Sequence, residues 1–460
     1  MNTPIYDFLK KYSDSKALRL HMPGHKGKRL SELPSYEFDI TEIKDADSLF
    51  EADGIIEESE NNTSKLYKTA GTCYSAGGST LCIQAMLWLM KQEKREVIAV
   101  RNVHRSFIAA CALLDIQPLW IFPDYYGSIL SGDFPYDKAE ELLKKEKNAC
   151  IYLTSPDYLG KTADISKIAA LCRRYNAVLL VDNAHGAHTT ALGMHPAQLG
   201  ADLCCDSAHK MLPALTGGAY LHIVNPIYKD KAKQAMSLFG STSPSYLIMA
   251  SLDLCAEYIA EGLDNDIKSR LTALTSLRKR LSHKYRIYEG EPFHLTLICN
   301  GINLAKQLRK YNIECEYADN DCIVLLFSPV NTEAEINLTA DILEKCIPEP
   351  PLNTEAVSFP EPIAATTIRN AVLTDYETIS TEESEGRICA GVNVPCPPAV
   401  PIAVSGEIIT ENCIKIFKTD CKIFTASGCK GNRSGMQYSK CTGIRRDKKR
   451  NFGNIHGLAD

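Results

Sequence analysis

Two stretches, Ala177-Val178-Leu179-Leu180-Val181-Asp182-Asn183-Ala184-His185 and Ala201-Asp202-Leu203-Cys204-Cys205-Asp206-Ser207-Ala208-His209-Lys210, decide how this chain is read. Each opens as an apolar run of strand length. The first ends on a carboxylate and the second on an amine. Ligands of open α/β sheets bind outside the carboxyl ends of parallel strands, so Asp182 and Lys210 are expected at one such edge. An amine that forms a Schiff base and a carboxylate that keeps a pyridinium nitrogen protonated are the two groups pyridoxal 5'-phosphate (PLP) requires of its protein. Each has a plainer reading alone, since strand-end aspartates cap loops and most lysines are surface cations.

Outward from this pair, strand and helix signals alternate. Strands are expected at 96–100, 118–122 and 150–153, and helices at 105–114, 137–146 and 164–175. That order predicts an α/β fold with a mostly parallel sheet and helices on both faces. Residues 251–284 space as one long connecting helix, and from Phe293 a smaller α+β domain begins. The organisation expected is an amino-terminal segment (1–60), a large cofactor domain (61–285), a carboxyl-terminal domain (286–427) and a basic tail (428–460). The tail, rich in Gly, Ser, Lys and Arg, is expected to be disordered.

The chain has 460 residues, 45% of them hydrophobic, with a formal charge of -5. This is enough for a large core and gives no whole-chain reason to expect nucleic acid or anionic membrane as partner. Neither a signal-peptide pattern nor a membrane span is read, and a cytoplasmic location is expected. The 18 cysteines show no C-x-x-C pair and are expected to remain thiols.

A phosphate needs backbone amides and hydroxyls at a helix start. Gly78, Ser79 and Thr80, ahead of a helical stretch from Leu81 to Lys91, supply them. Histidines at 21 and 25, and at 185 and 188, raise a metal alternative. Met22-Pro23-Gly24 breaks helical geometry between the first pair, no H-E-x-x-H pattern is present, and no metal is expected.

Leu20-His21-Met22-Pro23-Gly24-His25-Lys26-Gly27, Gly78-Ser79-Thr80, Arg101-Asn102-Val103-His104-Arg105-Ser106, Val181-Asp182-Asn183-Ala184-His185-Gly186-Ala187-His188, Ser207-Ala208-His209-Lys210 and Ser241-Thr242-Ser243-Pro244-Ser245-Tyr246 stand in the order found in one family. Over about residues 1 to 425 the chain resembles the ornithine/lysine/arginine decarboxylases of the aspartate-aminotransferase fold (PLP fold type I), whose central sheet has seven strands. It looks like their short form, without an amino-terminal wing domain.

The resemblance implies decarboxylation of arginine, lysine or ornithine to an amine, feeding polyamine synthesis. It makes Lys210 the Schiff-base lysine, Asp182 the pyridinium partner, and His104 and Ala184 the two ring neighbours. Gly78, Ser79, Thr80, Ser207 and His209 would serve the phosphate and His185 the cofactor. Lys210 or His209 would deliver the proton to the substrate carbon. Thr242 would reach the phosphate of a neighbouring subunit, which implies a homodimer with shared sites. Glu42, Asp45 and Asp47 are candidates for the substrate's cationic end.

The chain departs from the family at Cys396 and Ala399, where tyrosine and glycine are usual, at Asn183, where an acidic residue is common, and at Arg105, where lysine is. A transaminase on the same fold, with Arg387 clamping the substrate carboxylate, and a catalytically silent regulatory relative are the competing readings.

Overall fold

Seven strands form the central sheet in the order Gly71–Ser75, Ala219–Ile223, Leu203–Asp206, Val178–Asp182, Ala149–Thr154, Glu96–Val100 and Leu119–Ile121. They come from a computed structural model that describes residues 17–20, 26, 47–125, 128–352, 361–391, 400–420 and 440–444. Every strand pair is parallel except those made by Ala219–Ile223, which runs antiparallel to both its neighbours. Its direction follows from its connection. Between Asp206 and Ala219 the chain holds only the four-residue helix Ala208–Met211, too little to cover a face of the sheet as a parallel crossover does.

Both faces of the sheet are covered. Leu180, Tyr152, Leu203 and Cys205 pack with Met86, Phe107 and Cys111 on one side. Leu179, Val181 and Ile151 pack with Ile165, Ile168 and Ala197 on the other. All five residues of Val178–Asp182 are buried, which is why that stretch reads as an unbroken apolar run rather than an alternating one. Each large aliphatic side chain buried this way contributes about 1.5–3 kcal/mol. The central strands are therefore a rigid base for whatever their ends carry.

The smaller unit is built on a four-stranded antiparallel sheet, Arg286–Ile287, His294–Ile298, Cys322–Leu326 and Tyr317–Ala318. Helices Gly301–Arg309 and Glu333–Lys345 accompany it, the latter opened by a capping box of Thr332 and Glu335. Leu18–Leu20 pairs in parallel with Ile313–Cys315, so the amino-terminal segment is stitched to this unit.

Two expectations change. The single helix over 251–284 is two, Tyr246–Glu261 and Leu263–Leu281, separated at Gly262. A Cβ there would crowd the Tyr258 ring at 3.0 Å, and Asp264 and Asp266 then supply the acidic first turn of a new helix. In the stretch expected to be disordered, Lys440–Ile444 pairs as a strand with Tyr376–Ser380, and the rest of 428–460 lies outside the described residues. The described cysteines are free thiols, and no described helix is long and apolar enough to cross a membrane.

The two units meet at Gly160. Its φ is +95°, its carbonyl accepts from the Glu291 N–H at 2.7 Å, and a Cβ on it would overlap His294. Gly160→Ala should therefore destabilise the protein by about 1–3 kcal/mol, read as a lowered midpoint in thermal or urea unfolding.

Candidate active site

Asp182 ends its strand with Thr154 and Cys205 as register partners on either side. It is 2% exposed. Tyr152 Oη donates to its Oδ2 at 3.3 Å, and the Ala184 N–H to its Oδ1 at 3.2 Å. Burial pushes its carboxyl up from the usual range, while the Lys210 charge and these hydrogen bonds act against burial. A buried carboxylate that looks toward a cation is what the sequence led us to expect here.

Lys210 lies on the four-residue helix Ala208–Met211, which Ser207 opens directly after the Leu203–Asp206 strand. Its Nζ is 3.0 Å from His185 Nε2. His185 is 5% exposed, and burial, followed by the Lys210 charge, drives its pKa well below the ordinary histidine value.

The Gly78–Gln92 helix starts at the same edge, and no side chain caps its amino end. Ser207 Oγ donates to Ser79 Oγ at 2.8 Å, which brings two hydroxyls together beside that end. Gly78 has φ +71° with open space where a Cβ would stand. A single turn anchors both segments, because Gly217 O accepts the Gly78 N–H at 2.8 Å and Gly218 O accepts from His209 Nδ1 at 3.1 Å. Thr80 is exposed beside this helix start.

His104 precedes the Arg105–Leu114 helix and caps it, its Nδ1 accepting from the Ser106 N–H at 3.2 Å. Burial, with the charges of Lys210 and Arg105, lowers its pKa to about 3, so the ring is neutral. Ala184 is 7% exposed, directly beyond Asp182. Amine, buried carboxylate, neutral imidazole, paired hydroxyls and an uncapped helix start suit an aromatic, phosphorylated aldehyde. The donor set fits PLP.

Other expectations land elsewhere. Thr242 is exposed on the segment before the Tyr246–Glu261 helix. Asp47 is no substrate ligand, since its carboxylate accepts the N–H groups of Ser48, Asp53, Gly54, Ile56 and Glu57. Burial pushes its pKa up, but those bonds outweigh burial and lower it. Arg387 donates to Glu377 Oε1 at 2.7 Å, so that guanidinium already holds a carboxylate of its own domain. Glu42, Asp45, His21, His25, Cys396 and Ala399 lie outside the described residues.

Asn183 has a clear role. Its Nδ2 donates at 2.7 Å to Asp206 Oδ1, where an acidic side chain would face a second carboxylate. Asp206 also takes His195 Nε2 at 3.0 Å and His222 Nε2 at 3.1 Å, an arrangement of metal-ligand types. The Ala197 N–H donates to His195 Nδ1 at 3.2 Å, so His195 carries its proton on Nε2 and has no lone pair there for an ion. The cluster is a hydrogen-bonded brace beneath Lys210.

Sequence reasoning missed three residues. His294 and Glu291 reach His185 from the smaller unit, and no spacing rule marks Glu291-Pro292-Phe293-His294. Glu407 clasps Arg101 through both carboxylate oxygens at 3.1 and 2.8 Å, with Arg101 only 1% exposed. Arg101 stood in a stretch already read, but its partner lies 306 positions away.

Comparison with known proteins identifies the family. Residues 3–299 match the family described as Orn/Lys/Arg decarboxylase, major domain, and residues 354–426 its C-terminal domain. The chain belongs to the Orn/Lys/Arg decarboxylase family. It is 29% identical over 450 residues to the uncharacterized protein YaaO of Bacillus subtilis, covering 90% of this chain and 93% of that one. It is 28% identical over 457 residues to the arginine decarboxylase of the same organism, with the same coverage. The constitutive lysine decarboxylase of Escherichia coli has the same fold, with a TM-score of 0.68 at 17% identity over 83% of this chain and 71% of that one. A serine palmitoyltransferase structure with PLP matches at 0.51 and 14%, over 63% of this chain and 75% of that one. The architecture is PLP fold type I, and the protein is an amino-acid decarboxylase.

Two measurements check the site's physics. Glu407→Gln leaves a buried guanidinium without its counter-charge and should cost about 3–5 kcal/mol in unfolding free energy, with much of it regained in Arg101→Met/Glu407→Leu. A histidine whose folded-state pKa lies below its unfolded value stabilises the fold above that value and loses the contribution as pH falls. For His104 the window runs from the ordinary 6.5 toward about 3. His104→Phe should therefore show a smaller drop in melting temperature than wild type between neutral pH and the acid side of this window.

Proposed function

We infer that the protein decarboxylates a basic amino acid to its amine with PLP held at the carboxyl edge of the sheet. The observation that carries this is the convergence of Lys210, Asp182 and the Ser79–Ser207 hydroxyl pair on one site at that edge. Lys210 would hold the cofactor covalently through Nζ, and Asp182 would pair with the ring nitrogen. His104 and Ala184 would flank the ring. Ser79, Thr80, Ser207 and His209 would take the phosphate, with Gly78, whose N–H is held by Gly217 O, leaving open space for its close approach and His185 beside the lysine. When bound, PLP supplies an electron sink for the pair of electrons left behind as carbon dioxide departs.

The chain's own residues do the rest. Asp182, whose carboxyl burial pushes up and the Lys210 charge holds down, would be drawn into its ionised form by a cationic atom facing it and would keep the sink electron-poor. Neutral His104 presents a ring face without adding a cation that would compete with Asp182. Lys210, or His209 next to it, would deliver the proton to the substrate carbon. Arginine is the substrate favoured by the relatives that match over nearly the whole chain, with lysine and ornithine the alternatives. The exposed position of Thr242 suits contact with a second subunit's phosphate, and hence a homodimer with shared sites.

Purified protein supplied with PLP should release carbon dioxide and the matching amine from one of arginine, lysine or ornithine. Lys210→Ala should abolish turnover while keeping the fold, and Asp182→Ala should lower kcat by at least about 100-fold, the scale of one electrostatic stabiliser. A keto acid in place of the amine would instead identify a transaminase.

A further inference from the structure

A buried line of side chains leaves Lys210 and crosses into the smaller unit. Lys210 Nζ meets His185 Nε2 at 3.0 Å, and His185 Nδ1 meets His294 Nε2 at 3.4 Å. His294 Nδ1 donates to Glu291 Oε1, and His188 Nε2 donates to Glu291 Oε2 at 2.8 Å. None of His185, His294, Glu291 and His188 is more than 5% exposed. Nothing in the decarboxylation chemistry above requires His294 or Glu291. Burial of this many ionisable groups in a row calls for a physical account.

Hydrogen-bond accounting fixes what each ring can do. Burial pushes the Glu291 carboxyl up, but His188 and His294 outweigh it and hold it well below the usual range, so it is an ionised acceptor. It also receives the Phe293 N–H at 3.0 Å. His188 Nδ1 is buried with no hydrogen-bond partner, as suits a lone pair opposite a donating Nε2–H. His294 keeps its Nδ1 proton on Glu291 in every arrangement. Its Nε2 is either a lone pair facing His185 or a second N–H, and the choice sets the tautomer of His185.

Two arrangements then hold the same number of protons. In one, Lys210 is an ammonium donating to a bare His185 Nε2, His185 donates Nδ1–H to His294, and His294 is neutral. In the other, Lys210 is a free amine accepting from His185 Nε2–H, and His294 is an imidazolium against the Glu291 carboxylate. Resting on the reading of Lys210 as the cofactor lysine, we propose that Lys210 becomes a nucleophilic amine by passing its proton through His185 to His294, where Glu291 holds it. A proton leaves Nζ for His185 Nε2 as the Nδ1 proton of His185 moves to His294 Nε2. No bond between heavy atoms changes, and no solvent is needed. Lys210 and His185 belong to the reacting group, and His294 and Glu291 are positioning residues that act through them.

The other charged groups do not offer this exit. Asp182 faces Lys210 and favours the ammonium, while His104 and His209 lie near as further imidazoles. Arg278 donates to the His294 carbonyl at 2.6 Å and faces Glu291, which leaves the carboxylate between a permanent cation and the His294 ring.

The sign of one substitution separates this relay from ordinary electrostatics. If Lys210 lost its proton to solvent, removing the Glu291 charge would destabilise the ammonium and raise the share of free amine. In the relay, Glu291→Gln strips the counter-charge from the His294 imidazolium, which is nearer, so the share of free amine falls. The measurement is trace acetylation by acetic anhydride of the full chain freed of PLP, read at Lys210 by peptide mass spectrometry against exposed Lys147. Glu291→Gln should slow Lys210 labelling by about ten-fold or more near neutral pH, the equivalent of one pKa unit. His294→Asn, which removes the acceptor ring, should do the same and serves if Glu291→Gln does not fold. Labelling unchanged or faster in these variants overturns the relay. Adding PLP to the same preparations tests the parent reading apart from it. A Schiff-base absorption that survives in Lys210→Ala would sink that reading, whatever the labelling shows.

Discussion

A carboxylate buried in a protein is tolerable only where something positive or hydrogen-donating answers it, and Asp182 sets that condition for the whole site. At 2% exposure its charge is opposed by burial and supported by Lys210, Tyr152 and the Ala184 N–H. The strand that carries it is covered on both faces, so the carboxylate cannot retreat toward water. A cation beside Asp182 therefore favours its ionised form, as Lys210 does. The lysine, the paired serines and the neutral His104 are arranged around that demand.

Charge also joins the parts of the molecule. Arg101 and Glu407 form a two-pronged pair across 306 positions of sequence, next to the loop that carries His104. Glu291 and His294 bring a second buried charge from the smaller unit against His185, through the close approach at Gly160. Buried pairs of this kind add little net stability over apolar packing, but they penalise any arrangement in which one partner is missing. The site is thus assembled from three stretches of chain whose misplacement is costly, which favours one geometry over near alternatives.

Much of this was legible in the sequence because the decisive residues end apolar runs. Val178–Asp182 and Leu203–Asp206 are marked as strands by composition, and Asp182, Ser207 and Lys210 follow from where those runs stop. The helix start at Arg105 was readable in the same way, and the helix expected from Leu81 begins three residues earlier, at Gly78. Ala219–Ile223 was not, since an apolar run looks the same in either direction and only its short connection dictates the antiparallel course. The break at Gly262 was hidden because helical spacing continues through it. His185 and His294 stand 109 positions apart, and no local pattern records a contact made only when the two units are brought together. The departure at Asn183 became intelligible only with Asp206 beside it.

The turn at Gly217 and Gly218 ties two parts of the site together. One carbonyl grips the start of the Gly78–Gln92 helix and the next grips His209, immediately before the lysine. The helix start and the residue before the lysine therefore share a single hinge pin instead of floating on separate loops. Displacing either segment therefore pulls on the turn that holds the other, so the two are kept in register.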